Sequence, residues 1–221
     1  MLIQPHSKLV FIGDSITDCD RESPVGEAVG EGLGRGYVSL VNALLNTVQP
    51  RHAIRVINVG TSGHTVRDLD ARWQRDVLAL NPDWLSVMIG INDVWRHFDT
   101  PRQTEWQVAL PEYAATLERL VQITRPALKG LVLMTPYFIE PNRADPMRAM
   151  MDEYGDVVRR LAEKYEAVLV DTQAAFDAIL SEGSGGQAAH PMSLAWDRVH
   201  PNLTGHMLLA RAFLKSIQAG W

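Results

Sequence analysis

Apolar residues are distributed along this chain in two alternating patterns. Short, nearly continuous runs occur at Lys8–Ile12, Ile54–Asn58, Trp84–Ile89, Gly130–Met134 and Ala167–Val170. Runs of this length without polar alternation predict strands covered on both faces. Between them, longer segments repeat apolar residues at helical spacing: Tyr37–Val48, Val66–Leu80, Leu110–Thr124, Met147–Tyr165 and Leu203–Ser216. The fourth carries the stripe Met147, Met150, Met151, Tyr154, Val157, Val158, Leu161 and Tyr165, which predicts a core-facing surface. Alternating strands and helices predict an α/β fold with a parallel sheet between helices. No linker composition interrupts the series, so residues 1–221 are read as one domain. Three segments read as irregular: the Gly-rich Arg21–Gly36, Asp93–Gln107 with its two tryptophans, and Ser181–Ser193.

In open parallel sheets, sites form beyond the carboxyl ends of the strands. Four polar motifs stand at such positions. Gly13-Asp14-Ser15 closes the first run, where Ser15 or Asp18 is a helix cap or Ser15 is a nucleophile. Asn58 to Thr65 closes the second; Thr65 caps the following helix, and Gly63 can present a backbone N–H to an anion. Gly90-Ile91-Asn92-Asp93 closes the third, and the Asn92 amide can donate to a developing oxyanion. Asp197-Arg198-Val199-His200-Pro201 precedes the last helix. There an aspartate three residues before a histidine can accept from Nδ1–H and leave Nε2 free as a base. Each motif alone is weak evidence. Together, in order, they supply a nucleophile, oxyanion donors, an orienting acid and a base.

Composition narrows the partners. The net charge is −5, and Lys and Arg are scattered without a basic run, so nucleic acid is not an expected partner. Neither a targeting segment nor a bilayer-spanning run is evident, so a cytoplasmic protein without membrane association is expected. Cys19 is the one cysteine, which precludes an internal disulfide and a multi-cysteine zinc site. It is expected to be an inert, small apolar residue. No serine lies in G-x-S-x-G and no HExxH occurs, which argues against an α/β-hydrolase elbow and a zinc hydrolase. GLGRG within Gly26–Gly36 follows no strand closely and is a poor dinucleotide site.

The Gly13-Asp14-Ser15, Gly63, Asn92 and Asp197–His200 blocks resemble those of the SGNH, or GDSL, hydrolases. Further segments, GDSITDC, TVRDLDARW (Thr65–Trp73), PDWLSVMIGINDVWR (Pro82–Arg96), MTPYFIE (Met134–Glu140), DPMRAMMDEYG (Asp145–Gly155), VDTQAAF (Val170–Phe176) and LAWDRVHP (Leu194–Pro201), are similar to the bacterial acetylxylan esterase branch. The resemblance implies a three-layer α/β/α sandwich with a five-stranded parallel sheet, flavodoxin-like in layout. It implies hydrolysis of acetyl esters on xylan-derived saccharides, no cofactor or metal, and a tendency to homo-oligomers. The implied catalytic residues are Ser15, Asp197 and His200, with the N–H groups of Ser15 and Gly63 and the Asn92 amide forming the oxyanion hole. Trp95 and Trp196 are expected beside the pocket, with Arg96 and Tyr137 as weaker contacts, whereas Trp73 and Trp84 belong to the core pattern. Two alternatives stay open: a thioesterase or lysophospholipase on the same scaffold, and a non-catalytic carbohydrate-binding protein.

Overall fold

The apolar runs pair as predicted. A computed structural model describes residues 1–27, 31–181 and 189–220. Its strands are β1 (Lys8–Gly13), β2 (Gly26–Glu27), β3 (Arg55–Asn58), β4 (Trp84–Met88), β5 (Gly130–Met134) and β6 (Val168–Val170), arranged β2-β3-β1-β4-β5-β6. Every residue of β4 and β5 is buried, as continuous apolar runs require. The five predicted strands are mutually parallel. Among the described residues the expected five-stranded sheet is corrected to six strands by β2, which pairs antiparallel with β3 through Gly26 and Glu27. Two residues carry no periodicity, so composition alone made this segment a loop.

The predicted helices appear as α2 (Tyr37–Val48), α3 (Val66–Trp73), α5 (Leu110–Thr124), α6 (Pro146–Lys164) and α8 (Leu203–Ser216), with α3 continuing through a π-helical turn, Gln74–Leu78. Among the described residues three more α-helices occur: α1 (Ser15–Asp18), α4 (Ile91–Asp99) and α7 (Thr172–Leu180). The loop expected at Asp93–Gln107 is therefore helical in its first half. Its helix buries Asn92 and Asp93 beside Ile91 and Val94, and such residues are poor helix formers that usually mark caps and turns. The irregular segment Ser181–Ser193 lies largely outside the described residues, as do residues 28–30 of Arg21–Gly36. No helix among the described residues is long and apolar enough to cross a membrane.

Helices pack in two groups, α2 with α8 and α8 with α7, then α3 with α5, α5 with α6 and α6 with α4. The parallel strands follow the flavodoxin-like order, whose switch point lies where the connections depart to opposite sides of the first strand. The carboxyl ends of β1, β3 and β4 thus surround one crevice. Gly13 lets them close on it. A Cβ there would stand 2.4 Å from both the Met88 carbonyl and Thr17 Oγ1, so no larger residue fits without displacing backbone.

Candidate active site

β1 is followed directly by Asp14, whose Oδ1 accepts from Ile16 N at 3.0 Å and caps α1. The capping expected of Ser15 or Asp18 is thus done by Asp14. Ser15 becomes the first helical residue, and its hydroxyl is left for tertiary contact. Ser15 Oγ lies 3.1 Å from His200 Nε2, and His200 Nδ1 lies 2.7 Å from Asp197 Oδ2. Asp197 Oδ1 accepts from the backbone N–H of Val199 at 2.9 Å and of His200 at 2.7 Å. Burial works to raise the Asp197 carboxyl, but these hydrogen bonds outweigh it and hold the group below its ordinary value. The carboxylate therefore accepts from Nδ1–H, which turns the Nε2 lone pair toward the serine.

The loop after β3 brings Gly63 to the same crevice. Its φ of 80° is the left-handed region that glycine adopts without strain, and a Cβ there would meet nothing within 4 Å. The constraint on Gly63 is thus backbone conformation, not space. Its N–H meets no acceptor among the described residues. The loop is tied to α1 by Ser62 N donating to Asp18 Oδ2 at 2.9 Å and by Asn58 Nδ2 donating to the Thr17 carbonyl at 2.7 Å. On α4, Asn92 Nδ2 donates to the His64 carbonyl at 2.9 Å. An amide NH₂ has two hydrogens, so the second remains for an anion. Ser15 N–H, at the first position of α1, has no intrahelical acceptor.

The family model for GDSL-like lipases and acylhydrolases matches residues 11–208, a span that contains every residue of this constellation. The chain belongs to that family. It is accordingly a carboxylic ester hydrolase by family. An acetylxylan esterase of Geobacillus stearothermophilus is 55% identical over 221 residues, covering 100% of this chain and 98% of its own. The crystal structure of that organism's esterase Axe2 superposes with a TM-score of 0.94 at 55% identity, over 98% of this chain and 96% of that one. LAE5, an α/β hydrolase from the metagenome of Lake Arreo, Spain, matches with a TM-score of 0.95 at 53% identity, over 99% of this chain and 98% of that one.

Around the GDSL constellation, Trp196 lies parallel to the His200 ring, with centroids 5.4 Å apart and planes 9° apart, and it is 68% exposed. Trp95 meets the same imidazole from a tilted angle at 5.7 Å. The Arg96 guanidinium sits 5.6 Å from the Trp95 ring centre, and its Nη2 donates to Asn92 Oδ1 at 3.4 Å. A cavity of about 300 Å³ opens beside Trp95 and Asp197, walled by Phe98, Phe138 and Met147. Tyr137 is not part of a pocket wall. It is fully buried against Phe176, and its hydroxyl donates to the Val199 carbonyl at 3.3 Å, so it supports the histidine turn from beneath. Trp73 and Trp84 are core residues, as their patterns predict.

Sequence reasoning missed two positioning residues. Arg72 of α3 is buried; its Nη1 donates to the Val59 carbonyl at 2.6 Å and to Asp76 Oδ2 at 2.9 Å, and its Nη2 donates to the Gly13 carbonyl at 2.8 Å. One guanidinium therefore joins the exits of β1 and β3. The available signal was a charge inside the buried stripe Val66, Leu69, Arg72, Trp73. Asp93 of α4 is the second. It is fully buried and its Oδ1 accepts from Val66 N at 3.0 Å, which ties the helix carrying Asn92 to the helix that follows Gly63. Asp93 Oδ2 has no partner among the described residues.

Burial pushes the Asp93 carboxyl up from 3.8 to about 7, and the Val66 hydrogen bond opposes this only in part. A carboxyl raised in the folded state favours folding fully below its unfolded value and loses that contribution as pH rises through its folded value. Asp93→Asn is therefore expected to flatten the fall in Tm between pH 3.8 and about pH 7. Some slope should remain, because burial raises Asp14 to about 7 as well. Thermal unfolding across that range is the measurement, and an unchanged slope would put the pH dependence elsewhere.

Cys19 has a histidine neighbour that sequence adjacency did not reveal. Its Sγ lies 3.4 Å from His206 Nε2. His206 Nδ1 accepts from Tyr37 N at 3.2 Å, so in the neutral ring Nε2 carries the hydrogen and faces the sulfur as a donor. Burial, with the nearby Asp18, Asp20 and Asp14, pushes the thiol up to about 12, and burial lowers His206 to about 4. The pair is a neutral packing contact, without the thiolate that nucleophilic chemistry needs.

Proposed function

We propose that this chain is an esterase that removes acetyl groups from xylan-derived oligosaccharides, with Ser15, His200 and Asp197 as its catalytic residues and residues 1–221 as one catalytic domain. The observation that carries the chemistry is the continuous hydrogen-bonded chain from Ser15 Oγ through His200 to Asp197. The substrate class is supported by the 55% identity to an acetylxylan esterase along the whole chain. Ser15 Oγ attacks the acetyl carbonyl as its proton passes to His200 Nε2. The N–H groups of Ser15 and Gly63 and the free hydrogen of the Asn92 amide stabilise the oxyanion. The C–O bond to the sugar breaks, and His200 returns the proton to the departing sugar oxygen. Water, deprotonated by His200, then attacks the acetyl-serine, and acetate leaves as Ser15 regains its proton.

The test is acetate release from a panel of acetylated xylo-oligosaccharides, aryl acetates and longer acyl esters. Preference for the acetylated saccharides supports the reading; preference for long acyl chains replaces it with the lipase side of the family. The Trp95 contact has its own test. An indole face beside the base suits the apolar face of a sugar ring. Trp95→Ala is expected to raise KM on acetylated saccharides about tenfold, and on a small aryl acetate much less. Equal effects on both substrates would exclude sugar contact at Trp95.

A further inference from the structure

The segment after α4 holds a second tryptophan that the catalytic constellation does not use. Trp106 is 51% exposed and ends a short 3₁₀ turn, Thr104–Trp106. Exposed aromatics on surface turns commonly swing freely, but this turn is fastened. Arg67 Nη1 donates to the Glu105 carbonyl at 2.8 Å, and the same guanidinium grips Glu112 of α5 through Nε and Nη2 at 2.5 and 2.7 Å. Trp106 N donates to the Gln103 carbonyl at 3.0 Å, and Gln107 Nε2 donates to the Pro101 carbonyl at 3.2 Å. Two residues on, Val108 is fully buried and anchors the chain to the core. The main chain that carries the indole is thus held in place before any ligand arrives, which lowers the ordering cost of binding.

Trp106 also faces a defined space. It lines a cavity of about 390 Å³ whose wall includes Gly63, the proposed oxyanion donor, together with Arg67, Asp68, Arg96 and Glu105. That volume lies within the range of small-molecule sites, about 300–1,000 Å³. The lining joins one aromatic face to charged groups of both signs. Asp68 uses Oδ2 to accept from Thr65 N and Thr65 Oγ1, both at 2.8 Å, and its Oδ1 has no partner among the described residues. A pyranose ring matches such a surface, since one face presents C–H groups and the rim presents hydroxyls. Arg96 spans the space between this cavity and the reacting centre, because it lines the cavity and also donates to Asn92 Oδ1.

We propose that the cavity between Gly63 and Trp106 is a sugar subsite, separate from the contacts at Trp95 and Trp196, that holds a neighbouring ring of an oligosaccharide whose acetyl group sits at Ser15. Trp106 is the platform on which that ring stacks, and Asp68 and Glu105 accept from its hydroxyls. This rests on the acetylated-saccharide reading above and adds that chain length matters.

The experiment compares kcat/KM for acetate release from acetylated xylose, xylobiose and xylotetraose and from an aryl acetate, with the native enzyme and with Trp106→Ala and Trp106→Phe. The native enzyme is expected to gain with chain length. Trp106→Ala is expected to lose about tenfold on the tetrasaccharide, mostly through KM, and no more than about twofold on the aryl acetate. Trp106→Phe, which keeps an aromatic face, is expected to retain most of the gain. A native enzyme active on the saccharides but indifferent to their length would overturn the subsite and leave the acetyl-saccharide reading standing. An equal loss on every substrate, or a drop in the solution mass of Trp106→Ala showing that the indole covers a second copy of the chain, would also overturn it. Inactivity on all the saccharides, with activity on the aryl acetate, would overturn both together.

Discussion

Ser15→Ala is expected to lower kcat for acetate release by about 10⁴- to 10⁶-fold, and adding His200→Ala is expected to lower it little further. The reason is geometric. In the proposed triad nucleophile and base act as one unit, because His200 Nε2 has no proton to take once Ser15 Oγ, 3.1 Å away, is removed. Asp197→Asn should also be severe, about 10⁴-fold, because its carboxylate orients the ring through Nδ1 at 2.7 Å while its other oxygen holds the turn by two backbone N–H groups. Asn92→Ala removes one of the proposed oxyanion donors and should cost about 10²- to 10³-fold. Steady-state hydrolysis of an aryl acetate reads all four variants without depending on saccharide recognition. Near-native turnover by Ser15→Ala would remove the triad assignment, whatever the substrate.

The largest effect on stability is expected at Arg72. Arg72→Met should destabilise the fold by about 3–5 kcal/mol, as loss of one partner from a buried ion pair does. The substitution leaves Asp76 buried without its partner across one helical turn, and leaves the carbonyls of Gly13 and Val59 without the donor that joins them. Arg75 also pairs with Asp76 but is itself largely exposed, so it offsets only part of the loss. Removing both charges in Arg72→Met with Asp76→Leu should cost less than the arginine change alone. Urea unfolding of the two variants decides this. A loss below about 1 kcal/mol for Arg72→Met would mean that the guanidinium is dispensable to the fold. Activity should fall with stability, since the two carbonyls belong to the segments that carry Ser15 and Gly63.

The five parallel strands and five of the helices were legible because each is an apolar run or a periodic pattern contained within its own residues. The elements that escaped were short or locally contradictory. β2 is a pair of residues with no pattern of its own. α4 carries Asn92 and Asp93, residues that favour turns, in its first turn, and buries Ile91 and Val94 beside them. α7 shows only Phe176 and Leu180 as a buried apolar pair. The catalytic candidates were legible for the opposite reason: polar residues at strand ends, or in the Asp197–Pro201 turn before the last helix, break the apolar pattern abruptly. Their supports were not. Tyr137 reads as a pocket residue in the sequence and lies wholly beneath the histidine turn. Asp14 reads as the middle of a motif and proves to be the cap that frees the Ser15 hydroxyl.

Local periodicity and strand-end punctuation thus carry the α/β class, the order of the main elements, and the identity of Ser15, Gly63, Asn92, Asp197 and His200 as groups bound for one sheet edge. Those features depend on residues a few positions apart, whose steric and hydrophobic preferences act before any tertiary contact forms. The pairing of side chains across the fold follows a different rule. Ser15 meets His200 across 185 positions, and Arg72 meets Gly13 across 59. The parallel indole against His200 and the cavity joining Gly63 to Trp106 also arise only when separate loops arrive at one crevice. Such contacts are decided by strand order and helix packing, because the energy of a buried hydrogen bond or a stacked ring depends on distances that no segment sets alone.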